Sequence, residues 1–180
     1  MADRGELVSF NSYGWHKGFY NDDNYSDSLL RIRYSDYFEE PDDDEFPYDS
    51  AYVLLNGSCN HFAVSLRNVF YYNVHVIEAK DRKGFHAFCQ VYKNRQWYYV
   101  DARGITSSFD EFLAGIKTFV RDEFTIRPME ECDLQEWEKD FNYNSEAYAF
   151  SETIIKDYSE CYIVSVSYTH LRAHETGAYL

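Results

Sequence analysis

A chain of 180 residues holds one domain with a real core and is too short for two large ones. Its 45% hydrophobic residues fall in periodic runs, which excludes a disordered chain. A formal charge of −14 repels phosphate backbones and anionic lipid, so neither nucleic acid nor a membrane surface is expected as a partner.

Residues 1–46 read as an N-terminal helical and loop segment. Its best helical signal is Ser26 to Tyr34, and it runs into an acidic linker, DYFEEPDDDEFPYDS, interrupted by Pro41 and Pro47. The run from Asp42 to Glu45 lacks the glycine and spacing of a calcium loop. Residues 47–164 read as the main domain. There Asn56-Gly57-Ser58 forms a turn, and Phe62, Leu66, Val69 and Phe70 recur at helical spacing, predicting a helix over Cys59 to Phe70 with Ser58 as N-cap. Asn73 to Ala79 alternates like a strand. After a turn at Asp81 to Gly84, HAFCQVY and QWYYVDA predict a hairpin closed at Lys93 to Gln96. Ser108 and Glu111 form a capping box that opens the helix FDEFLAGIKTF. Thr125 to Arg127 is a short strand, and two helices follow at Asp133 to Phe141 and Ser145 to Tyr158. Helices, then strands, then helices make the fold class α+β.

Residues 165–180 stand apart. Ser165 to Thr176, SVSYTHLRAHET, resembles the translation of a widely used transposase sequencing adapter, so this tail is expected to be non-native and His170 and His174 are not offered as site residues.

Cys59, Cys89, Cys132 and Cys161 form no CxxC pair, which speaks for free thiols in a reducing compartment and against a zinc cluster or disulfide framework. The opening residues contain no signal-like apolar stretch, and no apolar run is long enough to span a bilayer. A soluble cytoplasmic protein with no metal and no other cofactor is expected.

Cys59 sits where a turn enters a helix, a place where backbone N–H groups and the helix dipole favour a thiolate. A nucleophilic thiol needs a base, and the base an orienting group. His86 begins one strand of the hairpin and Asp101 ends the other. If Asn94 and Arg95 form a two-residue turn, His86 becomes the diagonal neighbour of Asp101, roughly 7–8 Å away between Cα atoms. The opposite face then carries Ala87, Cys89, Val91, Tyr98, Val100 and Ala102, a coherent core surface, and a slip of one residue breaks both results. Trp97 and Tyr99 share the face of His86 and are candidates for the wall of a groove or for packing beneath a helix. Arg103 is a candidate for holding substrate or for a structural salt bridge. His75 competes as base but has no acidic partner in register, and His61, two residues after Cys59, lies on the wrong side of its helix.

GSCNHFAVSL, GFHAF and WYYVDARG together resemble the Cys…HA[FW]…W-x-x-VD pattern of transglutaminase-like, papain-fold proteins, with the HAF…YVDARG stretch especially close to bacterial and phage members. The resemblance covers about Leu54 to Gly115. It implies a papain-like core in which a helix bearing Cys59 packs on an antiparallel sheet bearing His86 and Asp101. It also implies acyl transfer through a thioester to or from a peptide or protein substrate: proteolysis, amide hydrolysis, deamidation or transamidation. Classical papain enzymes place a Gln before the nucleophile to complete the oxyanion hole. Here no Gln precedes Gln90, which leaves Asn56, Asn60 or backbone N–H groups for that task. Two functions therefore stand: a cysteine acyl-transfer enzyme, and a catalytically degenerate relative that binds a partner or serves as a phage structural component.

Overall fold

Asn94 and Arg95 both adopt positive φ, 54° and 64°, the two-residue turn whose twist matches that of the strands it joins. This fixes the register of β2 (Phe85–Lys93) against β3 (Gln96–Asp101) from Lys93↔Gln96 through Cys89↔Val100, the pairing the hairpin reading required. In the computed structural model, which describes residues 25–39, 49–80, 85–116, 123–139 and 145–164, this hairpin forms the middle of the sheet. β1 (Asn73–Ala79) pairs with β2 on the other side, and β5 (Phe124–Pro128) pairs with β1. A three-residue strand, β4 (Gly104–Thr106), pairs with β3. The result is a five-stranded antiparallel sheet in the order β4-β3-β2-β1-β5, and the fold is α+β. β4 is too short to show a period of two, so the sequence pattern missed it.

The two faces of the sheet bury different cores. Val74, Ala87, Cys89, Val100 and Ala102 point one way and pack beneath α1 (Tyr25–Arg33), α2 (Cys59–Phe70) and α5 (Ser145–Asp157), which contribute Leu30, Phe62, Leu66, Ile154 and Ile155. Ile77 and Phe88 point the other way and pack with Phe112 of α3 (Phe109–Ala114) and with Ile116. Ser108 caps α3 by accepting the Glu111 N–H at 3.3 Å, but the Glu111 carboxylate turns to the Thr106 hydroxyl at 3.1 Å instead of closing the box. The short α4 (Glu131–Lys139) is tethered to the sheet by Arg127, which donates to both Asp133 oxygens at 2.6 and 2.7 Å and to Glu78 at 3.2 Å. No described helix is long and apolar enough to cross a membrane.

The N-terminal segment does not stand apart from the main domain. Leu29, Leu30 and Tyr34 are fully buried, and Leu30 and Tyr34 belong to the same core as α2. The acidic linker from residue 40 to 48, the turn at 81–84 and the tail from 165 lie outside the described residues. The α3 helix ends at Ala114, and residues 117–119 of its expected extension also lie outside them.

Gly104 is required by two constraints at once. Its φ is +109°, and a Cβ there would run into the Arg33 guanidinium. Gly57, at φ +133°, has open space where its Cβ would go. Gly104→Ala is therefore expected to lower stability by about 2 kcal/mol or more, and Gly57→Ala by about 1–2 kcal/mol from backbone strain alone. Thermal melts of the two variants check this, and equal losses would show that Arg33 yields without difficulty.

Candidate active site

The site is built where the two cores meet at one end of the hairpin. His86, the second residue of β2, faces the α3 side, with the Phe88 ring parallel to it at 6.5 Å and the Phe112 ring at 6.1 Å. Asp101 ends β3. Its diagonal placement brings the Oδ2 oxygen to 2.9 Å from His86 Nε2, so that Nε2 donates and Nδ1 is left to face elsewhere. Cys59 is the first residue of α2, from the helical layer on the opposite face. All three are buried, with 7% of Cys59, 1% of His86 and 2% of Asp101 exposed.

Burial alone would lower the pKa of His86, because a desolvated imidazolium is unfavourable. A hydrogen bond donated to Asp101, a hydrogen bond with Cys59 and the charges of both groups outweigh that, and raise it to about 9. Burial likewise works against an ionised Asp101. The Arg103 guanidinium, helped by His86, wins and holds the carboxyl well below the usual carboxylate range. At neutral pH the cluster is thus an alternating chain of cation, anion and cation, with the Cys59 sulfur at its open end.

Of the two readings of Arg103, the structural salt bridge is the one the structure shows: as a groove candidate it fails, because it is fully buried and turned onto Asp101. Its backbone N–H donates to Asp101 Oδ1 at 2.8 Å, its Nε donates to both oxygens at 3.1 Å, and its Nη2 donates to Oδ2 and, at 3.4 Å, to the Phe112 carbonyl. The Oδ1 oxygen thus closes the turn onto the backbone two residues on, a habit of Asp in tight turns, while Oδ2 holds His86. Asp101 therefore closes its own turn and contacts His86 at once, with Oδ2 shared between His86 and the Arg103 guanidinium.

The other candidates separate clearly. Trp97 pairs with Tyr92, six residues along β2 from His86, which places it roughly 20 Å away at about 3.3 Å per residue. Its ring packs against Tyr92 at the hairpin tip, tilted by 50° with centroids 5.0 Å apart, and lines no groove beside His86. Tyr99 packs beneath α3, 5.0 Å from Phe109 and 5.5 Å from Phe112. Asn56 spends its side-chain amide on the Tyr52 carbonyl at 3.0 Å. Asn60 is buried beside Cys59, and its Oδ1 has no hydrogen-bond partner among the described residues. Ser58 holds the N-cap position of α2, but its hydroxyl makes no capping bond, so it does not occupy the N–H groups at the head of the helix. His75 pairs with Phe88 across the strands and bonds the Asn73 carbonyl at 3.2 Å. His61 is buried against Tyr148, ring centroids 4.7 Å apart. Sequence reasoning missed Arg33 and Tyr34, which hold the turn that carries Asp101 and Arg103. Arg33 Nη1 donates to the Arg103 carbonyl and the Tyr34 hydroxyl to the Ala102 carbonyl. Nothing in a local motif marks partners so distant in sequence. Among the described residues no three His, Cys, Asp or Glu side chains converge as metal ligands.

No family model, no curated protein and no solved structure matches the chain.

The raised His86 has a consequence for stability. A group whose folded pKa exceeds its unfolded one stabilises fully below the unfolded value, here the ordinary 6.5, and loses that contribution as pH climbs through about 9. Asp101 behaves oppositely, contributing above its ordinary value and failing as acid lowers the pH toward its depressed one. Chemical denaturation from pH 6.5 to 9.5 is expected to show a loss of about 1–3 kcal/mol that His86→Gln abolishes. An unchanged slope in that variant would mean that His86 does not hold its proton in the folded state.

Proposed function

We propose that this protein is a cysteine-dependent acyl-transfer enzyme of the transglutaminase-like, papain-fold type, with Cys59 as nucleophile, His86 as its proton partner and Asp101 as the group that orients His86. The observation that carries the reading is the imidazole of His86, bound by Asp101 on one nitrogen and raised to about 9 by Asp101 and Cys59 together. A thiol and a carboxylate from two other elements acting on one buried ring is the constellation that nucleophilic catalysis by a thiol needs.

The protonation state sets the order of events. With His86 already an imidazolium at neutral pH, its first task is that of an acid. The Cys59 sulfur attacks the carbonyl carbon of an amide, and the carbonyl π electrons move to oxygen, where the uncapped N–H groups at the head of α2 are placed to stabilise the charge. Collapse re-forms the carbonyl and breaks the C–N bond. His86 gives its proton to the departing nitrogen, leaving a thioester and a free amine. The neutral imidazole then takes a proton from water or from an acceptor amine as that group attacks the thioester. The products are an acid or a new amide, and the Cys59 sulfur and the His86 proton are restored. Asp101 does not exchange protons in this cycle. It keeps Nε2 protonated and aims the ring.

The 7% exposure of Cys59 favours a second reading, a degenerate relative that binds a partner without turning over. Thiol labelling separates the two, and Cys132 on the surface supplies an internal reference. Iodoacetamide at pH 6 is expected to modify Cys59 faster than exposed Cys132, while Cys89 and Cys161, whose thiols burial pushes up, stay unmodified. Peptide mapping that found Cys132 labelled first, and Cys59 as slow as Cys89, would remove the activated nucleophile.

Acylation by a peptide thioester, and alkylation by a peptide vinyl sulfone, should vanish in Cys59→Ala and fall about 10²–10⁴-fold in His86→Ala. Asp101→Asn should retain a measurable fraction, and added to Cys59→Ala it should cost nothing further, because the residues act as one unit. Loss of labelling in His75→Ala with His86→Ala unaffected would reassign the base.

A further inference from the structure

Resting on the reading just given, we infer that Arg103 is the positioning residue of the site: from inside the core it fixes the Asp101 carboxylate in the orientation His86 needs, and Arg33 and Tyr34 hold the turn that presents it.

The geometry is unusual for a salt bridge of mere stability. Arg103 and Asp101 are two residues apart, and the guanidinium folds back on its own turn to donate from Nε and Nη2 to the carboxylate, while the Arg103 N–H closes on Oδ1. A planar fork on a planar carboxylate leaves the carboxylate little freedom to rotate. Nη2 also reaches the Phe112 carbonyl of α3, and the Arg103 guanidinium lies 5.4 Å from the Phe112 ring, the ring that also faces His86. Arg103 therefore sets both the carboxylate and the aromatic wall behind the imidazole. Beneath it, the Ala102 and Arg103 carbonyls are taken by Tyr34 and Arg33, and Gly104 lacks the Cβ that would keep Arg33 away. Tyr34 is itself bonded to Tyr162, next to the last 3-10 turn of the described chain (Ser159–Cys161).

The ionisable groups facing His86 are Cys59 from α2, Asp101 from β3 and, one shell behind, Arg103. From β1 the paired residue is Ile77, which does not titrate. If the Asp101 oxygens turn away, burial and Cys59 remain, and the imidazolium loses its principal support. A buried cation of any shape would satisfy the charge of Asp101, so a purely structural role predicts that Lys replaces Arg. A positioning role predicts that it does not, because an ammonium has no fork.

The experiment compares wild type, Arg103→Lys, Arg103→Met and Tyr34→Phe, each checked for folding by circular dichroism. The readouts are the His86 pKa from histidine NMR and the pH dependence of Cys59 alkylation. The expected result is a His86 pKa lowered by about one unit in Arg103→Lys, with Cys59 labelling at pH 6 slowed about tenfold, and a smaller shift in the same direction in Tyr34→Phe. Folded Arg103→Lys with a wild-type His86 pKa and labelling profile overturns the proposal. If neither Arg103 variant folds, Tyr34→Phe decides, and an unmoved His86 overturns it. His86→Ala and Asp101→Asn are run alongside. If they too leave Cys59 labelling unchanged, the acyl-transfer reading itself has failed. If they alter it and the Arg103 and Tyr34 variants do not, only the positioning role has.

Discussion

A carboxylate withdrawn from water at the end of a strand must gather cations and N–H groups or take up a proton. Asp101 gathers four donors: the Arg103 backbone N–H, the Arg103 guanidinium nitrogens Nε and Nη2, and His86 Nε2. That single buried anion organises its surroundings. It bends the chain into the turn that starts β4, it draws a guanidinium into the core, and it holds the His86 ring in one orientation. Remove its charge and Arg103 becomes an isolated buried cation, a penalty of about 3–5 kcal/mol for breaking such a pair.

The position of this anion follows from the sheet. Because side chains alternate along a strand, His86, Phe88, Tyr99 and Asp101 look toward α3, while Ala87, Cys89, Val100 and Ala102 look toward α2. Cys59 starts the helix that covers one face, and His86 lies on the other, so the two can meet only where the sheet ends. The opening of β2 and the close of β3 are that end. The hairpin tip, with Tyr92 and Trp97 in contact and half exposed, is the opposite one.

Much of this was legible in the sequence because it is encoded locally. The two-residue turn at Asn94-Arg95, the alternation on either side of it and the apolar stripe of α2 are short-range signals, and each element carries its own. Register then followed from the turn, and with it the meeting of His86 and Asp101. What was not legible depends on side-chain direction or on distant partners. The sequence leaves Arg103 between holding substrate and forming a salt bridge, because nothing in a linear pattern shows a guanidinium folding back two residues. Trp97 has the parity of His86, which fixes its face but not its distance along the strand. The place of α1 in the core depends on Tyr34 and Arg33 meeting residues about 70 positions away. The uncapped Ser58 is a finer failure of the same kind. Residue type predicts a cap, but its φ of −117° and ψ of 20° put the chain outside the extended geometry a capping serine takes.

The Tyr34–Tyr162 contact joins hydroxyls 128 residues apart, against a separation of 15 between His86 and Asp101. Contacts at short separation close early in folding, and those at long separation wait for large loops to be drawn together. The hairpin can therefore bring imidazole and carboxylate into contact while the chain is still incomplete. The turn beneath them is locked only when its two ends, one near the start of the described chain and one near its close, meet. On a ribosome emitting the chain from its N-terminus, Tyr162 emerges long after Cys59, His86 and Asp101. Cys59, His86 and Asp101 are then all synthesised before the tyrosine that helps to lock the turn beneath them.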